Sequence, residues 1–187
     1  MHMGVVWRKL ENGNYGKIEK IGKIGKVRKY INMSVMEIVK AGAPVLKEIC
    51  APVERVNKEL RQLLDDMAET MYKNDGVGLA APQVGRAIRV VVIDCQEEHG
   101  LIELINPVIT FREGEEVDTE GCLSIPGIYG EVERSARVKV EFLDRRGKKQ
   151  HITATGLLAR CIQHELDHLD GQLFIDLAKS LHRGNQG

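Results

Sequence analysis

Two histidines four residues apart, His164 and His168, constrain this chain more than any other feature, because they stand in a stretch otherwise rich in apolar residues. Residues i and i+4 share one face of an α-helix, so His164-Glu165-Leu166-Asp167-His168 aims both imidazoles at a single point. Cys161 and Ile162 precede the motif, and Leu166 and Leu169 interleave with it, which predicts a largely buried helix. Buried polar groups without partners are costly. A shared metal ion would supply the partner, with Glu165 placed to address a water bound to it. The competing reading is a solvated polar helix face that matches a five-residue pattern by chance. A catalytic metal centre needs a third protein ligand. Six residues beyond His168 stands Phe174 rather than a third histidine, and no glutamate follows, only Asp170 and Asp176. The fold must therefore bring a distant segment to this helix. Glu120-Gly121-Cys122-Leu123-Ser124 reads as a tight polar turn after an acidic segment, and it offers a cysteine. Cys122 is then either a ligand or a structural thiol.

The remaining pattern is α+β. Leu60, Leu63, Leu64, Met67, Ala68 and Met71 recur at helical spacing, which predicts an amphipathic helix over 57–73, stopped near Asp75-Gly76. Residues 88–94 form a β-branched run expected as a buried strand. A second extended segment covers 101–111, with Pro107 marking an edge or a break. Val138, Val140 and Phe142 alternate with Lys139 and Glu141, a half-buried strand; 144–147 turn the chain, and 151–155 return it as a hairpin. Thr155 is the expected N-cap of a final helix over 157–169. Strands lie in the middle and helices toward both ends, without a βαβ alternation. Gly76-Val77-Gly78 looks like a dinucleotide turn only in part, since no strand immediately precedes it and residue 81 is Ala.

Charge divides the chain. Its 27 basic and 27 acidic residues cancel, which argues against a general nucleic-acid binder, DNA included. Residues 1–33 nevertheless hold eight basic and two acidic residues, so the other 154 hold 19 basic and 25 acidic. The leader reads as an extension ahead of a start at Met33 or as a basic arm, with a composition compatible with disorder; it lacks the Ser and the acid-poor character of an organelle-targeting peptide. Residues 34–187 are expected to form one catalytic domain. No apolar run reaches the roughly 18 residues of a membrane helix. Cys50, Cys95, Cys122 and Cys161 are scattered without a CxxC pair, which points to a reducing cytoplasm.

Three segments together carry a resemblance. Gly76-Val77-Gly78-Leu79-Ala80-Ala81-Pro82-Gln83, Glu120-Gly121-Cys122-Leu123-Ser124 and Gln163-His164-Glu165-Leu166-Asp167-His168 resemble, in order, the three motifs of the peptide deformylases. The flanking Ile125-Pro126-Gly127 and the stretch from Met33 to Lys40 fit as well, so the resemblance covers about 34–178. It implies an α+β fold whose antiparallel or mixed sheets pack around a central helix carrying HExxH, with an amphipathic helix nearer the N-terminus. It implies hydrolysis of the N-terminal formyl group of formyl-methionyl nascent peptides, releasing formate. Cys122, His164 and His168 would hold one divalent metal whose bound hydroxide attacks the formyl carbon, with Glu165 as general base and then acid. Gln83 and the Leu123 N–H would donate to the oxyanion. Val77, Leu157 and Cys161 match the apolar pocket for the methionine side chain, and Gly78 and Gly121 the backbone beside the peptide. Fe²⁺ is the metal the resemblance favours in the cell, although Zn²⁺, Ni²⁺ or Co²⁺ also suits these ligands. Transient ribosome contact is implied too, and no membrane partner.

Some expectations stand beside the resemblance. Arg160 replaces an apolar residue and is expected to make the pocket rim more polar. Glu120 and Arg134 are expected to pair and hold the Cys122 turn. An HExxH metallopeptidase cutting internal or terminal peptide bonds is the competing enzyme, disfavoured because the third ligand is a distant cysteine. A binding module that has lost chemistry is disfavoured because Cys122, His164, His168, Glu165 and Gln83 are all retained.

Overall fold

The computed structural model describes residues 34–184, so the basic leader and its two readings lie outside the described residues. Eight strands and three helices follow in the order β1 (Gly78–Ala80), β2 (Val90–Ile93), β3 (Ile102–Glu113), β4 (Glu116–Cys122), β5 (Ile125–Arg134), β6 (Arg137–Leu143), β7 (Lys149–Thr155) and β8 (Ser180–Arg183). Helix α1 (Lys58–Lys73) precedes β1, α2 (Gly156–Leu169) follows β7, and the short α3 (Phe174–Leu177) precedes β8. The class is α+β. The strands make a five-stranded sheet, β1-β2-β3-β6-β7, and a three-stranded one, β4-β5-β8. Every pairing between named strands is antiparallel, so the mixed alternative is not realised; a lone parallel bridge joins Ala51 to Ile88.

The five-stranded sheet is covered on both faces, which explains the uninterrupted apolar run of β2. Val91 and Ile93 join the core with Leu158, Ile162 and Leu166 of α2. Val90 and Val92 point the other way, into a core with Leu64, Met67 and Met71 of α1. Those three α1 side chains are fully buried, each contributing about 1.5–3 kcal/mol relative to exposure. The side chain of Asn57 accepts from the Leu60 N–H at 2.8 Å and caps α1. In β6, Val138 and Val140 are buried while Lys139 and Glu141 face solvent.

Several local expectations change. β3 runs through Pro107 as an interior strand, not an edge; the register slips between Ile105 and Val108, and that bulge removes the need for a ladder N–H at the proline. Thr155 stands at the N-cap of α2 but makes no side-chain cap bond. It is still paired with Arg137 in the sheet, and Gly156 turns the chain into the helix at φ +57°. The tight turn expected at Glu120–Ser124 is confined to Leu123 and Ser124; the acidic segment before it is strand β4, which Cys122 ends, buried. The three-stranded sheet packs with Leu46, Leu173 and Phe174 in a third core that includes Cys122, Ile125 and Val132.

Candidate metal centre

Helix α2 passes between the two sheets, and its whole circumference is occupied. Leu158, Ala159, Cys161, Ile162 and Leu169 fill the core, while Arg160, Gln163, His164, Glu165 and His168 are equally buried and must be satisfied by partners. Gln163 does this structurally: its Oε1 accepts from Arg112 and the Ser135 N–H, and its Nε2 donates to the carbonyls of Ser135 and Ala159.

His164 and His168 come together with Cys122 as ligand-type atoms all within 4.8 Å of one another. The imidazoles stand edge to face, 5.1 Å between centroids. Cys122 arrives from the last position of β4, where a register slip between Gly121 and Cys122 re-aims the side chain. Its Sγ lies 3.2 Å from His168 Nε2.

A buried charge network holds the cluster in place. The fully buried Glu120 carboxylate accepts from Arg134 Nε at 2.8 Å and Nη2 at 2.9 Å, from Arg160 Nη1 at 3.0 Å, and from His164 Nδ1 at 2.9 Å. Arg134 also binds Asp167 of α2. The expected Glu120–Arg134 pair is present and bidentate, the geometry that the planar guanidinium favours. Burial opposes charge on Glu120, but the hydrogen bonds from Arg134 and His164 outweigh it and hold the carboxyl far below its ordinary range. When a metal is held, the Nδ1 proton of His164 stays toward Glu120 and Nε2 gives up its own proton to offer a lone pair.

Arg160 is corrected by this network. It does not line a pocket rim; its guanidinium is buried against Glu120 and the carbonyls of Val132 and Glu116. A cation in the middle of Leu157-Leu158-Ala159-Arg160-Cys161-Ile162 was the signal that such a partner exists. Arg134→Ala would leave Glu120 and Asp167 short of a counter-charge. Breaking a buried pair in this way should destabilise the protein by about 3–5 kcal/mol and weaken metal retention by about 10–100-fold. Thermal unfolding and metal titration check this; unchanged values in both would refute the role.

The residues present fit a metal. Buried Glu165 Oε2 has no hydrogen-bond partner among the described residues, and His168 turns its Nε2 toward the Cys122 thiol. Burial lowers the His168 pKa well below its usual value, aided by the charges of His164 and Arg134, which keeps its imidazole neutral. For His164 burial also lowers the pKa, yet hydrogen bonds to Cys122 and Glu120 raise it well above the usual value. One thiol and two imidazoles are donors for a borderline divalent ion. Burial pushes the Glu165 carboxyl up to about 7.

The Gly76–Gln83 segment faces this cluster. A Cβ on Gly78 would stand 2.3 Å from Glu165 Oε1 and 2.7 Å from Cys161 Sγ, so only glycine lets β1 approach α2 this closely. Gln83 is oriented by its own Oε1, which accepts from the Ala80 N–H at 2.9 Å. Its Nε2 therefore points inward, 3.5 Å from Cys122 Sγ and 3.3 Å from Ser124 Oγ. Val77 and Cys161 are buried, the Cys161 thiol 3.7 Å from the Val77 carbonyl, and Leu157 is half-buried. A recess lined by Asn106, Phe142, Lys149 and His151 lies on the large sheet, and none of the donors lines it. Residue patterns gave no sign of Lys40, whose ammonium reaches the Leu123 carbonyl.

Two sheets gripping one helix, with a buried thiol, two imidazoles and a carboxyl between them, define a metal-centre hydrolase. Residues 35–184 match the sequence model of the polypeptide deformylase family. A peptide deformylase of Desulfitobacterium hafniense is 56% identical over 151 residues, covering 81% of this chain and 99% of that protein. One of Pelotomaculum thermopropionicum is 54% identical, covering 81% and 96%. Among solved structures, a peptide deformylase from Legionella pneumophila superposes with a TM-score of 0.76 at 44% identity, covering 78% of this chain and 87% of that one. The chain belongs to the polypeptide deformylase family. It is a hydrolase that removes the N-terminal formyl group from nascent peptides, with one divalent metal.

Proposed function

We propose that deformylation takes place at Cys122, His164 and His168, with Glu165 as general base and then acid. The observation that carries this reading is the convergence of one thiol and two imidazoles beside a buried glutamate on the HExxH helix. Cys122, His164 and His168 would hold a divalent ion there, which would supply Lewis-acid activation of a water and of the formyl carbonyl. Glu165 accepts the proton that the attacking water gives up and returns it to the departing methionine nitrogen. A carboxyl that burial has made more basic suits both steps.

Gln83 Nε2 and the Leu123 N–H donate to the formyl oxygen as it gains charge. Gln83 is set for this before substrate arrives, because its Oε1 is already tied to the Ala80 N–H. Gln83→Leu should lower kcat by about 10²–10³-fold with a smaller change in KM; wild-type kcat would remove Gln83 from the oxyanion hole.

Val77, Leu157 and Cys161 wall the slot for the methionine side chain. Gly78 and Gly121 offer backbone to the peptide; β1 and β4 are edge strands of their sheets, which supports pairing with an extended substrate. The metal proposed for the cell is Fe²⁺, with Zn²⁺, Ni²⁺ or Co²⁺ as the alternatives these ligands also suit, and ferrous iron on a thiolate would make the enzyme sensitive to oxygen and peroxide. Residues 34–187 act as one catalytic domain in the cytoplasm, meeting the ribosome transiently. Four unpaired cysteines support the reducing compartment, and no described helix is long and apolar enough to cross a membrane. Formyl-Met-Ala-Ser offered beside an unformylated peptide tests the reading. Release of formate with the peptide bonds left whole is expected, and cleavage of internal bonds alone would favour the metallopeptidase.

A further inference from the structure

The two oxyanion donors belong to segments that lead out of different sheets. Gln83 sits in the turn at Ala81–Val84 directly after β1, whereas Leu123 lies in the turn between β4 and β5. Three consecutive residues, Val39, Lys40 and Ala41, join these turns. The Val39 N–H donates to the Gln83 carbonyl at 2.8 Å, and the Ala41 N–H donates to the Ser124 carbonyl at 2.9 Å. Between them the Lys40 ammonium donates to the Leu123 carbonyl at 3.0 Å. The 39–41 segment thus spans the gap across which a formyl oxygen must be gripped from two sides.

We propose that Lys40 is a positioning residue for the oxyanion hole, its ammonium fixing the Leu123 backbone at a set distance from Gln83. The proposal rests on Gln83 and Leu123 being the oxyanion donors. The two backbone bonds of Val39 and Ala41 survive any substitution at these positions except proline, so the side chain of Lys40 is the only replaceable part of the clamp. A hydrogen bond from a charged donor is shorter and stronger than a neutral one, and it holds a carbonyl whose residue carries the catalytic N–H. Donors in such a hole work because they are aimed before charge develops. A small misalignment therefore lowers kcat more than it weakens substrate binding. Lys40 is otherwise exposed and its ammonium bonds to the Leu123 carbonyl rather than to a proposed metal ligand or substrate-pocket side chain, so its loss should leave the fold and the metal in place.

Lys40→Met, Lys40→Gln and Lys40→Arg in the metal-loaded enzyme test this, with Gln83→Leu run in parallel. Lys40→Met should lower kcat about tenfold with KM, metal content and Tm close to wild type. Lys40→Arg, which keeps a charged donor, should recover most of the loss, and Lys40→Gln, a neutral donor, should fall between. The positioning role is overturned if Lys40→Met keeps wild-type kcat while Gln83→Leu is impaired, if the loss appears in KM instead, or if it tracks a lowered Tm that arginine does not restore. Wild-type kcat in Gln83→Leu would instead overturn the underlying assignment of the oxyanion donors.

Discussion

Glu165→Gln should lower kcat by about 10²–10⁴-fold while metal content stays that of the wild type. The amide has nearly the shape of the carboxyl, so α2 keeps its packing against β1 and only the proton carrier is lost. Turnover of formyl-Met-Ala-Ser together with metal analysis measures this, and near-normal kcat would remove Glu165 from the chemistry. The same residue gives a pH signature in metal-free protein. Its folded pKa of about 7 lies above the ordinary 4.5 because burial penalises the charged form. A group raised in this way stabilises the fold fully below 4.5 and loses that contribution as pH rises through about 7. Metal-free wild type should therefore lose Tm relative to metal-free Glu165→Gln across that window. Curves that stay parallel would mean that the carboxyl is not held in its neutral form. Metal should narrow the difference, since a nearby cation favours the carboxylate.

Cys122→Ala should abolish metal retention and reduce turnover by about 10³-fold or more, a loss of several kcal/mol of transition-state stabilisation. The thiol is the only donor of the three that becomes anionic on binding, and two neutral imidazoles from one helix cannot close the coordination alone. The deleted atom is small and lies beside Leu46, Ile125 and Phe174 in a core that persists without it, so the fold should survive. Metal content after dialysis, with circular dichroism to verify folding, decides the matter; a variant that kept a full equivalent of metal and normal turnover would exclude Cys122 as a ligand.

Elements with one dominant period were readable from residues alone. The α1 stripe from Leu60 to Met71, the β2 run and the alternation of β6 each report a local rule, and each appears within a residue or two of its expected limits. Strands β4 and β5 were not readable. Glu116–Glu120 shows only an acidic run, because the cations that neutralise Glu120 arrive from Arg134, Arg160 and His164, 14 to 44 positions away. Arg160 was misassigned for the same reason: a charge inside an apolar helix demands a partner, but spacing does not say which one. Thr155 obeyed N-cap preference by position only, since its ladder pairing with Arg137 left Gly156 to make the turn.

By itself, the sequence determined the class of chemistry: two imidazoles at helical spacing, a glutamate beside them, and two further motifs in the order shared by one enzyme family. These are properties of residue type and short-range periodicity, which a linear chain expresses completely. Only the tertiary structure decided that Cys122 closes the cluster, that Glu120 unites two arginines with His164, and that residues 39–41 span the turns carrying Gln83 and Leu123. Those facts depend on contacts between residues 14 to 83 positions apart, set by how two sheets close on one helix. No local pattern encodes such distances, because they follow from the packing of the whole core.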